Sequence, residues 1–174
     1  MIMLDDLKAI CPHSNVGRLA VFVEPLNDAM QEFEIDANPA RETHFLAQIC
    51  HESGCFRYVE EIASGEDYEG RADLGNTQAG DGVRFKGRGL IQITGRANYR
   101  ACGAALGLDL EANPQLLESP ANACRSAGWF WQKHGLNELA DKGDLKAITR
   151  RINGGLNGYQ DRMALLEAAQ RRLA

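Results

Sequence analysis

Two carboxylates nine residues apart, Glu52 and Glu61, are the side chains whose type and spacing offer this sequence a chemistry. Glu52 lies in His51-Glu52-Ser53-Gly54, where a helix is expected to stop. A carboxyl at a helix C-terminus meets the negative end of the macrodipole, which disfavours its ionised form and suits a general acid. A second, more exposed carboxylate stays ionised and can activate water, so the pair can cleave an acetal such as a glycosidic bond. An unbroken helix would carry Glu61 about 13.5 Å further on and half a turn round, out of reach of the same substrate. The break at Ser53-Gly54 removes that restriction. The plainer alternative is that Glu52 is only an exposed helix end, and Glu60, Glu66, Asp67 and Glu69 rival Glu61 as its partner.

The elements that must position these groups are read as helices. Asn38-Pro39 offers an N-cap and a proline at the first helical position, and Phe45, Leu46, Ile49 and Cys50 mark one face of the helix that ends at Glu52. Upstream, Leu4, Leu7 and Ile10 predict a short first helix. Leu19 to Phe33 keeps a helical period that Pro25 interrupts, so two short helices or one kinked helix are expected, followed by a loop at 35–38. From Ser64 to Gly89 glycines recur among Asp, Glu, Asn and Arg with no apolar period, which predicts a long irregular segment forming a substrate wall. Leu90-Ile91-Gln92-Ile93-Thr94 follows; if extended, Gln92 and Thr94 share a face and can bind sugar hydroxyls, while Thr94 can equally cap the next helix. That helix runs from Arg96 to Leu106, with Asn98 in its first turn. Further helices are expected from Ser119-Pro120 to Gly135, from Leu145 to Ile152 closed by Asn153-Gly154-Gly155, and from Tyr159 to Leu173. Trp129-Phe130-Trp131 invites a sugar-stacking reading, but at helical spacing such residues are more often core.

With 174 residues and 44% hydrophobic content the chain is read as one globular domain, residues 1–174, able to bury a substantial core. A net charge of −5 argues against a nucleic-acid binder. No apolar run reaches the roughly 20 residues of a membrane span, so no stable membrane insertion is expected. Met1-Ile2-Met3-Leu4-Asp5-Asp6 does not read as a secretion signal, which predicts a chain made in the cytoplasm. Five cysteines without ligand spacing argue against zinc and for buried free thiols, with a Cys50–Cys55 disulfide left open. The chemistry calls for no metal or organic cofactor.

Taken together, His51-Glu52-Ser53-Gly54, Phe85-Lys86-Gly87-Arg88-Gly89-Leu90-Ile91-Gln92-Ile93-Thr94, Trp129-Phe130-Trp131, Ile152-Asn153-Gly154-Gly155 and Asp161-Arg162 give the chain a resemblance to the catalytic domain of glycoside hydrolase family 19. This is the chitinase family that includes compact bacteriophage endolysins. The resemblance implies a mainly α, lysozyme-like fold with a long cleft, and an inverting mechanism. Glu52 occupies the position of the general acid and Glu61 that of the second glutamate of the endolysin branch. Thr94 would hold the attacking water, and Gln92, Asn98, Asn153 and Arg162 would line the cleft or bind sugar and the catalytic carboxylates. Inversion implies a gap of roughly 6.5–9.5 Å between the carboxyl groups. The sequence departs from the plant members at Lys86, where an aromatic residue is usual, at Asn157, where they carry an acid, and in lacking their disulfide pattern. The first two depart from the plant-style network of charges, and the missing disulfides point to a phage or prophage endolysin: a monomer acting on peptidoglycan strands in the periplasm, reaching them through a separate pore-forming protein. A chitinase and a catalytically silent glycan-binding module are the alternatives.

Overall fold

The computed structural model describes residues 1–173 and is mainly α-helical, without a β-strand among them; pairing is limited to isolated bridges at Glu60, Arg88 and Ile93. The ten helices among the described residues are α1 (Leu4–Ile10), α2 (Val16–Ala20), α3 (Val23–Glu32), α4 (Pro39–Glu52), α5 (Asp81–Arg84), α6 (Arg96–Leu106), α7 (Pro120–Lys133), α8 (Leu136–Asp141), α9 (Leu145–Asn153) and α10 (Tyr159–Leu173). The break upstream resolves into two helices, and Pro25 falls in the first turn of α3, where its missing N–H costs no helical hydrogen bond.

The axis of the fold is α4. Asn38 accepts from the Arg41 N–H at 3.0 Å, Pro39 fills the first turn, and every residue from Thr43 to Cys50 is buried. Phe45, Leu46 and Ile49 are fully sealed; each large apolar side chain contributes about 1.5–3 kcal/mol by leaving water. Its N-terminus is tied to the end of α8, because Arg41 grips Asp141 with Nε and Nη2 at 2.9 and 2.7 Å. Along its other side lies α10, whose own far end is tied to α1 by Arg172 on Asp6 at 2.6 Å.

At its C-terminus α4 closes in a paired-carbonyl cap. The Cys55 N–H donates to Cys50 O at 2.7 Å and the Gly54 N–H to His51 O at 3.3 Å, the double bond of a Schellman ending. Gly54 takes the left-handed conformation expected of it, but Cys55 and Phe56 follow with φ of 55° and 65°. Such backbone costs roughly 1–2 kcal/mol per non-glycine residue, so neighbouring contacts must hold it. Ser53 does much of this: its hydroxyl donates to Ile49 O at 2.6 Å and accepts from the Phe56 N–H at 2.8 Å, while the Phe56 ring stacks on Phe22 at 5.1 Å. The sequence reading of Ser53 as a mere helix break therefore understates it. Ser53→Ala removes two bonds of a fully buried hydroxyl and is expected to cost about 1–3 kcal/mol, lowering Tm by roughly 3–10 °C in a thermal melt.

Four further features differ from the sequence pattern. The 64–89 segment is irregular for most of its length but carries α5 and 3₁₀ turns at Glu66–Tyr68 and Ala72–Leu74, and the 35–38 loop is largely a 3₁₀ turn at Ile35–Ala37. Leu90–Thr94 is a turn and not an extended run, because Gln92 has φ of 59° and the Arg88 and Ile93 backbones bond to each other at 3.1 and 2.8 Å. Finally, Gly135 turns left-handed after α7 and starts α8, an element the sequence pattern did not separate from its neighbours. No helix among the described residues is long and apolar enough to cross a membrane.

Candidate active site

The two sequential motifs His51-Glu52 and Asp161-Arg162 interlock. His51 Nδ1 meets Asp161 Oδ2 at 2.6 Å, and Arg162 Nη2 meets Glu52 Oε1 at 2.6 Å, so the last turn of α4 is clasped by the first turn of α10. The Arg162 side chain is 2% exposed, whereas Glu52 keeps 22%. Nη1 of Arg162 donates to Gln48 Oε1 and Nε donates to Asn157 O at 3.1 Å. Gln48 is itself fully buried, with its amide 3.5 Å from the Thr149 hydroxyl. The contact to Glu52 is an ion pair set off the direction of a good hydrogen bond, and Oε1 is sealed from solvent. Oε2 is then the oxygen left to meet a ligand. Close packing enforces the arrangement: Gly158 has φ of 71°, and a Cβ there would collide with the His51 ring.

Glu61 is built differently. The chain from Val59 to Glu61 pairs with 87–89: Glu61 N–H donates to Gly87 O at 2.8 Å and Gly89 N–H to Val59 O at 2.8 Å. The carboxylate is half-buried, with Oε1 accepting from the Tyr68 hydroxyl at 2.8 Å and Oε2 from the Gly87 N–H at 3.0 Å. The Tyr68 phenol is raised above its ordinary pKa, first by burial and then by this bond, so it stays a proton donor to Glu61. The rivals are occupied elsewhere or left outside. Glu60 is exposed and pairs with Lys86 Nζ at 2.8 Å, which holds its carboxyl below the usual range. Glu69 clamps the Gly80 and Gly82 N–H groups at 2.7 and 2.8 Å, and Glu66 and Asp67 are exposed on a 3₁₀ turn. Arg88, the charged residue of the Gly-Arg-Gly motif, is a brace: it bonds Glu118 at 2.8 Å and the Tyr99 hydroxyl at 3.1 Å beneath the turn.

Gln92, Thr94 and Asn98 share a pocket of about 270 Å³ with Leu74, Trp129 and Phe130. The left-handed backbone at Gln92 brings its carboxamide against Gly87, on the same side as the Glu61 carboxylate. Thr94 does not cap α6, whose N-cap is Gly95; its hydroxyl donates to Gln92 O at 3.1 Å and so is free to accept from a ligand. Asn98 is exposed and donates to Thr94 O at 2.8 Å. The aromatic triplet divides: Trp131 is core, edge-on to Phe45 at 5.3 Å and bonded to Asn137 at 2.9 Å, while Trp129 and Phe130 are half-buried on the pocket wall. Asn153 is exposed at the end of α9, 3.5 Å from Asn157 O. Arg162 is placed under Glu52 and not on the cleft wall, because an unshielded guanidinium is not tolerated at that depth and it finds Glu52, Gln48 and Asn157 there.

With this geometry in hand, the chitinase class I family model matches residues 37–141. The chain belongs to glycoside hydrolase family 19. A family 19 domain-containing protein of Haemophilus influenzae is 33% identical over 163 residues, spanning 75% of this chain and 79% of that protein. An endochitinase of Arabidopsis thaliana is 45% identical over 111 residues, but the chain covers only 38% of its length. Among solved structures, chitinase C of Streptomyces griseus superposes with a TM-score of 0.77 at 26% identity over 99% of this chain and 76% of its own, and a bacterial family 19 chitinase with 0.81 at 23%, covering 99% and 95%. These likenesses agree with the mainly helical, lysozyme-like fold and with a chitinase-like glycoside hydrolase.

Within this family 19 domain, residues that sequence reasoning passed over turn out to orient the carboxylates. Tyr68, Gln48 and the Gly87 N–H each hold an oxygen or a guanidinium in place, and only Gly87 stood inside a quoted motif. Gly87 is the most exacting. A Cβ there would fall 2.6 Å from Gln92 Oε1 and 3.2 Å from Glu61 Oε2, forcing both side chains aside. Gly87→Ala is therefore expected to lower kcat by about 10–100-fold while the fold persists, measured as turnover beside a circular-dichroism melt.

Proposed function

We propose that this family 19 domain is an endolysin that hydrolyses β-1,4-glycosidic bonds of bacterial peptidoglycan by inversion, with Glu52 as acid and Glu61 as base. The observation that carries the reading is the contrast between the two carboxyl groups. Glu52 has one oxygen locked on Arg162 and one turned outward, as delivery of a proton to a leaving oxygen requires. Glu61 is oriented by Tyr68 and Gly87 beside the Gln92–Thr94 pocket. In the reaction, a water donates one proton toward Glu61 and its other hydrogen to the Thr94 oxygen, leaving a lone pair aimed at the anomeric carbon. Glu52 protonates the departing oxygen on the opposite face of the ring. Gln92, Asn98 and Asn153 supply amide groups for sugar hydroxyls and acetamido groups, and Trp129 and Phe130 supply apolar faces. Arg162 acts through Glu52 as a positioning residue.

Five free thiols support a chain made in a reducing cytoplasm. In the endolysin reading it then acts as a monomer on the wall in the periplasm, with a separate pore-forming protein giving passage. A second reading, chitinase action on chitin oligomers, is favoured by the identity to the Arabidopsis endochitinase. The test is digestion of purified peptidoglycan and of chitin hexamers side by side, with mass spectrometry of the new reducing ends. Disaccharide-repeat fragments from peptidoglycan at a kcat/KM well above that on chitin are expected. Cleavage of chitin alone assigns the second reading, and tight glycan binding without cleavage of either assigns a silent binding module.

A further inference from the structure

Beside the C-terminal end of the active-site helix, three of the five cysteines converge. Cys11 caps α1, Cys50 sits in the last full turn of α4, and Cys55 lies in the left-handed turn after it. The Cys11 and Cys50 sulfurs are 3.5 Å apart, and all three lie within 4.8 Å of one another. Cys11 and Cys50 are buried, Cys55 is half-buried, and the cluster opens on a cleft of about 620 Å³. The remaining two, Cys102 and Cys124, are buried elsewhere in the core and belong to no such group.

We propose that Cys11, Cys50 and Cys55 form a binding site for a thiophilic metal ion of the zinc class, held by three thiolates with the fourth position open to the cleft. The spacing fits. Zinc–sulfur bonds of about 2.3 Å set tetrahedral sulfurs roughly 3.8 Å apart, so the observed triangle needs adjustment of only about an ångström. The ligand type fits as well, since thiolate sets select zinc and copper(I) over the hard cations. A second observation concerns the backbone. Cys55 and Phe56 are left-handed without being glycine, and this turn, fixed by Ser53, Ser14 on Cys55 O at 3.1 Å and Arg18 on Phe56 O at 2.8 Å, is what brings Cys55 back to the other two sulfurs. Backbone held in a sparsely populated region marks a place where position is specified for a purpose. The ion would staple the end of α1, the last turn of α4 and the strand-like segment leading to Glu61, so it would act on the fold around Glu52 without touching substrate. The spacing of 39 and 5 residues between these cysteines resembles no familiar zinc signature, which is why the sequence pattern argued against a metal.

The test uses the full chain, reduced with a phosphine and stripped of metal, titrated with cobalt(II) and then with zinc. One cobalt per chain, a near-ultraviolet thiolate-to-metal band that zinc displaces, and a rise in Tm of about 5–10 °C at saturating zinc are expected. Cys55→Ser is expected to weaken zinc binding by more than about 100-fold, whereas Cys102→Ala leaves it unchanged. Should Cys55→Ser fail to fold, alkylation of the wild type gives the same answer: Cys55 reacts in the stripped protein and is protected by one equivalent of zinc. Absence of the cobalt band in protein whose three thiols are reduced, or no protection of Cys55 by zinc, overturns the proposal, as does a Cys11–Cys50 disulfide that forms regardless of metal.

Discussion

Glu52→Gln is expected to reduce kcat by about 10²–10⁴-fold on whichever glycan the chain cleaves, while lowering Tm by only about 3–8 °C. The amide keeps the shape of the carboxyl. Its oxygen can still face Arg162 Nη2, and Arg162 keeps Gln48 and Asn157 as partners, so the loss in stability is that of one charge-assisted contact, about 1.5–2 kcal/mol. The group left facing the cleft no longer has an acidic proton to give to the departing oxygen. Turnover and melting temperature should therefore separate. A variant that keeps full activity removes Glu52 from the chemistry, and one that loses activity only because it unfolds says that Glu52 is a structural partner of Arg162.

Arg162→Met is expected to have the largest effect on stability, about 3–5 kcal/mol or a drop in Tm of about 6–20 °C, together with loss of activity. The guanidinium is 2% exposed, ion-paired with a glutamate and hydrogen-bonded to a glutamine and a main-chain carbonyl. Removing it leaves Glu52 Oε1 in the interior without its counter-charge and Gln48 Oε1 without that donor. Methionine fills much of the volume, so the measured loss reports the polar network and not a cavity. Arg162→Lys supplies the charge as a single point and cannot reach three acceptors at once, so it should fall between Met and wild type in both stability and turnover. A calorimetric melt and a turnover assay on the three proteins check this. Equal Tm for Met and wild type means the clasp between α4 and α10 is not held by this residue.

What the sequence discloses about this arrangement follows from local chemistry. Asn38-Pro39 and Ser53-Gly54 mark both ends of α4, and the expected span of α10 agrees with the observed one, because caps, prolines and apolar periods act over a few residues. The resemblance to family 19 arises from the same short motifs. Other features depend on contacts between distant segments. The resemblance gives Arg162 a place on the cleft or against the catalytic carboxylates; its burial follows from α10 lying along α4, which puts Gln48 and Glu52 opposite it. Tyr68 stands in a stretch without pattern, and its role comes from the fold of that stretch over Glu61. Gln92 and Thr94 share a face only if their run is extended, yet the Arg88–Ile93 pairing closes a turn there and selects the left-handed backbone. The cysteines show the same limit, since Cys11 follows α1, which packs on α10, and α10 lies along α4, so that Cys11 meets Cys50 only in the folded chain.

Inversion requires two carboxyl groups acting from opposite faces of one sugar ring, and the stereochemistry of the first product reads this directly. Proton NMR recorded during the earliest turnover of a β-linked N-acetylhexosamine oligomer should show the α-anomer appearing first at the new reducing end, before mutarotation mixes the two. Initial release of the β-anomer would mean a single-faced, retaining reaction and would contradict the assignment of Glu61 as the base that activates water.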